Sequence, residues 1–419
     1  MYCKNHIYLL LIIGSLIVCS FADNARLDDH FAENGILVLD TKEGDDSVSS
    51  VATKHDTIVY AGRTNSVAVS KVFVAVSNQD GILDTTFGTD GRVVIDIGAP
   101  SIDSIAVNGV AIDNNQNIVV VGTLQLNSRS AIFAVRLLPS GILDTSFSNN
   151  GIILLAKLEG EEFNMHHGND VIIADINKTS LGQEIIIART SYSGARTIAG
   201  VAVLSQEGYL LQDLSTFTEN TECLSIAIDK KKNIFGVGSR ASGSFIFKMD
   251  RHGVLDGRFN GDGTIDIANV RLLSITTESD KVLVCGLDVA TSSAIVQRFS
   301  GVHGTRDPHF NNDKPLIFTS KKGNYQQTGS HVFTRGTEIV VIGSFANKGD
   351  VAGFIVILDY FGNIRTTFNT KRLIDSGKNT INESLTTGIV DTATNCIIAA
   401  GIGLNNKRFS GVAIRIIEE

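Results

Sequence analysis

The chain has 419 residues, a formal net charge of −8, 43% hydrophobic residues, 40 Gly, 4 Pro and no Trp. The acidic balance argues against nucleic acid as a partner. With so few prolines, no low-complexity run and no long stretch of 3.6-residue periodicity, the chain reads as turn-rich β structure without an interdomain linker.

Residues 1–22 read as a signal peptide. Lys4 precedes an apolar run from Ile7 to Val18, and Ser20-Phe21-Ala22 places small residues where signal peptidase reads. The run falls short of the roughly 20 apolar residues of a membrane span. Cleavage is expected after Ala22, leaving residues 23–419 as a single secreted or periplasmic domain. Lipidation at Cys19 is opposed by Val18, which stands where a small residue is wanted, and retention as a surface anchor is the other alternative. No later segment is apolar enough to span a membrane. The mature chain keeps Cys223, Cys285 and Cys396, an odd number lying in or beside apolar strands, which reads as buried thiols rather than a disulfide framework.

After the leader come a short strand at Ile36–Asp40, a second at Val48–Thr53, a third at Ile58–Gly62 that ends in glycine, and a partner at Val72–Ser77. The order then repeats with a period of roughly 50 to 60 residues. Glycine-ended strands, or their eroded equivalent, recur at Ile118–Gly122, Ile185–Ala188, Ile234–Gly238, Val282–Gly286, Ile339–Gly343 and Ile397–Gly401. Their partners are Ile132–Leu138, Gly200–Ser205, Phe245–Asp250, Ala294–Ser300, Phe354–Asp359 and Val412–Ile417. Both series count to seven. A strand before each pair, such as Asn108–Asp113 or Leu224–Asp229, and one after it, such as Arg92–Asp96, make four per unit, separated by Gly, Asn and Asp turns. Four-stranded units repeated radially are the blades of a β-propeller, and such a ring grows by addition past the size at which one core would split into domains. The fold class expected is all-β, a seven-bladed β-propeller of four-stranded antiparallel blades.

Between third and fourth strands lies a cassette, Leu-Asp-x-x-Phe, at Leu27–Phe31, Leu83–Phe87, Leu143–Phe147 and Leu255–Phe259, with weaker copies ending at Phe310 and Phe368 and an eroded one at Leu210–Phe217. A phenylalanine at a fixed place in every unit is most simply a wedge between neighbouring blades, about 1.5 to 3 kcal/mol each when buried. The aspartate suits an Asx-type turn. The run Gly81-Ile82-Leu83-Asp84-Thr85-Thr86-Phe87-Gly88-Thr89-Asp90-Gly91, with Asn117–Gly122 and Phe133–Leu137, resembles the bacterial delta-60 repeat. That resemblance, which covers essentially the mature chain, implies an exported propeller-like protein and assigns no functional residue. The copy around Leu210 lacks the Leu-Asp pair, and those ending at Phe310 and Phe368 have lost the leucine.

By analogy with WD-repeat propellers the chain begins with an outer strand and ends with a third strand. The N-terminal strand is therefore expected to complete the last blade, with residues 27–40 pairing with 411–417, which removes an open edge. Seven self-contained blades are the alternative phase.

Candidate sites are sparse. His166 and His167 stand together in the longest inter-blade loop with Glu161, Glu162 and Asp170 nearby, and read as a solvated polar insertion rather than a metal site. Asn260-Gly261-Asp262-Gly263 and Thr89-Asp90-Gly91 read as turns, not calcium loops. The strand-end glycines read as turn glycines, and no nucleophile elbow, Cys-x-x-Cys or His-Glu-x-x-His motif is present. No catalytic, cofactor-binding or metal residue is assigned, and no cofactor is expected. Loops joining second to third strands are basic (Arg63, Lys71, Arg129, Arg189, Arg196, Arg240, Lys348, Lys407, Arg408), whereas those leading into the next first strand are acidic (Glu43, Asp45, Asp46, Glu159, Glu161, Glu162, Glu219, Glu222). Both sets fall at one end of the ring, the expected binding face, while the lack of Trp counts against a sugar-stacking face. The function expected is a monomeric, non-enzymatic scaffold for an unknown protein or cell-envelope polymer. The alternative is a hydrolase or lyase at the mouth of the central channel.

Overall fold

The computed structural model describes residues 18–19, 25–66, 70–98, 103–127, 129–148, 150–155, 165–176, 182–215, 217, 220–320, 326–347, 350–370, 384–405 and 408–418. Most of the expected leader lies outside them, as do Glu159, Glu161, Glu162, Glu219, Lys348 and Lys407; Val18–Cys19 pairs in parallel with Thr319 and Ser320. The described chain is β throughout apart from a 3-10 turn at Asn311–Asp313.

Each unit is a four-stranded antiparallel sheet in sequence order. The 45–95 unit is built from Asp45–Lys54, Thr57–Asn65, Ser70–Ser77 and Arg92–Ile95. The 104–155, 165–214, 225–268, 270–320 and 326–369 units follow the same order, with one parallel bridge, Ser130 to Met165, joining the second and third of these six sheets. Second and third strands are β-branched and buried on both faces, as in Ile118–Leu126 and Arg129–Leu137, whereas fourth strands such as Thr264–Ala268 alternate buried with exposed. The 384–418 unit draws its fourth strand from the other end of the chain: Ile36–Leu39 pairs antiparallel with Gly411–Ile414, and Ala25–Leu27 with Ile416–Glu418.

Neighbouring units pack face to face. Apolar clusters straddle the junctions between units, for example Val59, Val74 and Phe87 with Val120, Phe133 and Val135. The last unit meets the first in the same way. Phe31, Leu39, Ile398 and Ala413 pack with Val48, Tyr60 and Phe73, and Thr386 Oγ1 donates to Val48 O at 3.0 Å.

The strand-end glycines need correction, because the second strands run past them, from Thr57 to Asn65 and from Ile118 to Leu126. They sit opposite a β-bulge in the first strand, between Val48 and Ser50, Val107 and Gly109, Leu272 and Ser274, Gly329 and His331, and Leu385 and Thr387. The bulge pushes a carbonyl against the facing residue, so a Cβ on Gly62, Gly122 or Gly343 would overlap the oxygen of Ser47, Ala106 or Thr328. These glycines allow close approach of two backbones rather than a turn.

The cassette couples units. Phe31, Phe87, Phe147 and Phe259 are fully buried, and each packs on the second and third strands of the following unit, Phe147 on Ile185, Ile187, Ala202 and Leu204. The residue after the phenylalanine donates its backbone N–H to the next unit's hairpin: Ala32 to Asp80 O, Gly88 to Ser140 O, Ser148 to Glu207 O, Asn260 to His303 O and Asn311 to Phe361 O, at 2.6–3.0 Å. The aspartates make the expected turn, Asp84, Asp144 and Asp307 accepting from the N–H two residues on at 2.9–3.1 Å.

Candidate functional site

The aspartate has a partner that sequence reasoning missed. Its second oxygen meets a buried guanidinium from the third strand: Arg136 with Asp144, Arg298 with Asp307 and Arg415 with Asp28, all at 2.7–2.8 Å. Each guanidinium lies about 5 Å from its cassette phenylalanine ring, at 4.9 Å over Phe147, 5.2 Å over Phe310 and 5.1 Å over Phe31. Each also reaches forward to a carbonyl in the next unit's hairpin, Gln206 O, Tyr360 O and Gln79 O respectively. Burial opposes ionisation of Asp28, Asp144 and Asp307, but turn N–H bonds and the facing arginine outweigh it and hold the three carboxyls below their usual range. The signal was present as an alternation of Arg or Lys at the fourth residue of the third-strand motif in Phe133-Ala134-Val135-Arg136, but arginine in an apolar run carries no meaning until the aspartate is placed beside it.

A second polar system runs along the bulged first strands. The residue after the bulge accepts a backbone N–H from the next unit's first strand: Val110 N donates to Ser50 Oγ, Val332 N to Ser274 Oγ and Gly388 N to His331 Nδ1, at 3.1–3.2 Å. Asp170 occupies the same place, accepting from Ser225 Oγ at 2.8 Å and Ile226 N at 3.1 Å. Burial pushes the Asp170 carboxyl up to about 6, and burial lowers the His331 ring to about 4. His331 is therefore neutral at pH 7 and accepts the Gly388 N–H at Nδ1.

His166 and His167 are not in a loop, as expected from sequence, but in the first strand Met165–Ala174. Their side chains point to opposite faces, as strand alternation requires. His166 is buried with Nδ1 2.8 Å from Ser191 Oγ, in a cluster where the fully buried Arg189 binds Asp213, Ser191 and Ser215. The His167 ring lies 4.6 Å from that of Tyr192, whose hydroxyl donates to Glu222 Oε1 at 3.2 Å, and Ser239 Oγ donates to the other oxygen of Glu222. Burial lowers the pKa of His167; burial and the Glu222 carboxylate raise that of Tyr192. The strand registers put His167, Tyr192 and Glu222 at the end of the sheets that carries the second-to-third-strand turns.

The charged loops at that end are partly internal. Lys71 pairs with Glu43 at 3.0 Å, and Phe409 N donates to Asp45 at 3.2 Å, so the basic and acidic loop sets do meet. Arg189 is core rather than loop, and Asp46 is buried and accepts from Thr41 N at 2.7 Å. Arg129 and Arg408 remain exposed. Among the described residues no group of three or more His, Cys, Asp or Glu is arranged to hold a metal ion. Asp262 spends its carboxylate on Thr264 N and Oγ1, as a turn residue does. Cys223, Cys285 and Cys396 are free thiols, the first two buried. No helix among the described residues is long and apolar enough to cross a membrane.

No protein family and no curated relative matches the chain in sequence. Solved structures similar in fold include the polysaccharide lyase Uly1, at TM-score 0.50 and 11% identity over 93% of this chain and 92% of that one. A protein of unknown function from Dyadobacter fermentans matches at TM-score 0.50 and 10% identity over 94% of this chain and 100% of its own. The Dos1 propeller matches at TM-score 0.48 and 12% identity over 88% of this chain and 77% of its own. At such identities the likeness of the two structures at TM-score 0.50 speaks to the fold alone, an all-β assembly of four-stranded antiparallel sheets.

Proposed function

We propose that this protein is an exported seven-bladed propeller of delta-60 repeat type that binds a protein or cell-envelope polymer, without catalysis, through the end carrying the second-to-third-strand turns. In this reading the units form one ring, and the pairing of Ile36–Leu39 with Gly411–Ile414 completes its last blade. Deleting residues 23–42 should then sharply lower the melting temperature, and an unchanged melting curve would refute the ring.

The observation that carries the binding role is how the titratable groups inside the fold are used. Asp170 and His331 are committed to backbone bonds between units, and Glu222 to Tyr192 and Ser239. What this end offers outward is a set of charges such as Arg129 and Arg408 on a rigid frame, the usual place for a recognition surface. Sedimentation of the mature chain with isolated envelope fragments tests this. Binding should weaken with salt and with the double substitution Arg129→Glu and Arg408→Glu; binding indifferent to both overturns the reading.

A second reading, a hydrolase or lyase at the channel mouth, rests on the contact of His167, Tyr192 and Glu222. It requires turnover of an envelope glycan that Glu222→Gln abolishes.

A further inference from the structure

At the opposite end, between the 225–268 and 270–320 units, lies a cavity of about 380 Å³ lined by Asp229, Lys230, Lys231, Phe235, Lys248, Ser279, Asp280, Lys281, Gly301 and Val302. Comparison among the copies explains why it is there. In three units the third-strand guanidinium crosses to the next hairpin and binds the carbonyl two residues before its glycine: Gln206 before Gly208, Tyr360 before Gly362, Gln79 before Gly81. In the 225–268 unit the equivalent residue is Lys248, and the equivalent carbonyl belongs to Val302, two before Gly304. The Lys248 ammonium sits 2.9 Å from Asp256, and among the described residues no bond from it to Val302 O is seen. One point charge replaces a planar fork of five donors, and the space the fork fills elsewhere is left open.

The rim departs from the repeat at the same spot. The turn between first and second strands is Asp113-Asn114-Asn115-Gln116-Asn117 in the 104–155 unit but Asp229-Lys230-Lys231-Lys232-Asn233 here. The geometry is shared, each aspartate accepting from the N–H groups two and four residues on at 2.8–2.9 Å. The Asp229 carboxylate is hydrogen-bonded by its own turn and by Asn233 Nδ2, and its single charge offsets only one of the three lysines Lys230, Lys231 and Lys232. Lys230 and Lys231 are exposed, with no ion pair to either among the described residues. Lys281 lines the cavity and stands 3.6 Å from Asp280 and 3.9 Å from Asp307, and among the described residues no hydrogen bond from its ammonium is seen. The floor is the buried Phe235 ring, with Lys248 5.4 Å above its centre.

We propose that this cavity is a binding site for a small organic oxyanion, a carboxylate or phosphate carried on an apolar body. The oxyanion meets Lys230, Lys231 and Lys281, the apolar body lies against the half-buried Val302 and the Lys248 stem above the Phe235 ring, and the Val302 carbonyl accepts from any donor the ligand carries. Lysine ammonium groups act on phosphate as point charges, and an apolar floor excludes water beneath them. The site stands apart from the binding face proposed above.

Phenyl phosphate and benzoate are the probes, with inorganic phosphate and benzyl alcohol as the head group and the body alone, followed by isothermal titration on the mature chain. Saturable binding of phenyl phosphate or benzoate, tighter than either half, is expected, and which of the two binds tighter identifies the head group. Lys230→Gln with Lys231→Gln should weaken it about tenfold or more, the effect of about 1.4 kcal/mol. Lys248→Arg should abolish it by refilling the gap and bridging to Val302, with a melting temperature equal to or above that of the parent. No saturable binding of either probe, or binding that survives Lys248→Arg in a protein of normal melting temperature, overturns the proposal.

Discussion

Asp28→Ala is the sharpest test of how the chain ends are joined. Arg415 is 3% exposed, and its guanidinium lies 2.7 Å from Asp28, a residue 387 positions away in sequence. Removing the carboxylate leaves a buried charge without its counter-ion, a loss of about 3–5 kcal/mol. An unfolding entropy of about 2.1 cal/mol/K per residue, over a domain of about 400 residues, converts this to a fall of about 4–6 °C in melting temperature. The protein supplies its own control. Asp84 makes the same turn, accepting from Thr86 N at 2.9 Å, but Val76 stands where the arginine would be. Asp84→Ala therefore loses only a hydrogen-bonded turn, about 1 kcal/mol or about 1 °C. Differential scanning calorimetry at pH 7 compares the two, and equal shifts would refute the ion-pair argument. The sign with pH is also fixed. Burial works against ionisation of Asp28, yet the His30 N–H and Arg415 hold its pKa below 3.8. Its contribution is thus present above that value and lost as pH falls through the native pKa, so parent and variant converge in strong acid.

Phe147→Ala empties a fully buried wedge between the 104–155 and 165–214 units and should cost about 3–5 kcal/mol in chemical denaturation. Gly122→Ala forces a methyl onto the Ala106 carbonyl and should destabilise by about 1–3 kcal/mol or more, measured the same way; a neutral effect would remove the close-approach reading. Asp170 and His331 pull stability in opposite directions. With Asp170 raised to about 6, its native carboxyl takes a proton before the unfolded one does, so it adds stability as pH falls from 6 toward 4. With His331 lowered to about 4, its unfolded ring takes the proton first, and stability is lost as pH falls from 6.5 toward 4. Melting between pH 4.5 and 7 should steepen in acid for Asp170→Asn and flatten for His331→Gln, and slopes unchanged in both would contradict the assignment.

The repeat was readable because each unit carries its own period-2 strands and Gly or Asn turns, all local signals. The Phe147 position was readable as a wedge for the same reason, since recurrence at one place in every copy implies one environment. What escaped were features set by contacts between strands. Gly122 looks like the end of a strand in sequence, and only the bulge at Asn108 on the facing strand shows that the strand continues and why no side chain fits. His166 looks like a loop residue beside Glu161 and Glu162, but pairing with Ser191 makes it core. Arg136 inside an apolar strand looks anomalous, until Asp144 eight residues later and Gln206 seventy residues later are found on its donors.

The position of the chain termini follows from that same device. In the 104–155 and 270–320 units the arginine and its aspartate are eight or nine residues apart, so the hairpin that carries them forms locally. At the junction of the chain ends the cassette has been cut between its third strand and its turn, and an identical ion pair spans 387 residues. Closing so long a loop costs more entropy than closing a hairpin, though only logarithmically with length, whereas the bonds regained are the same ones the 104–155 and 270–320 units make. The junction is therefore held by the standard set of contacts: a buried arginine, a turn aspartate, the Phe31 wedge and the Ala32 bond to Asp80. Its strength in the folded state should match that of the interior junctions that carry the same ion pair. Its residues are far apart in sequence, so that separation enters the rate at which the seam forms rather than its strength once formed.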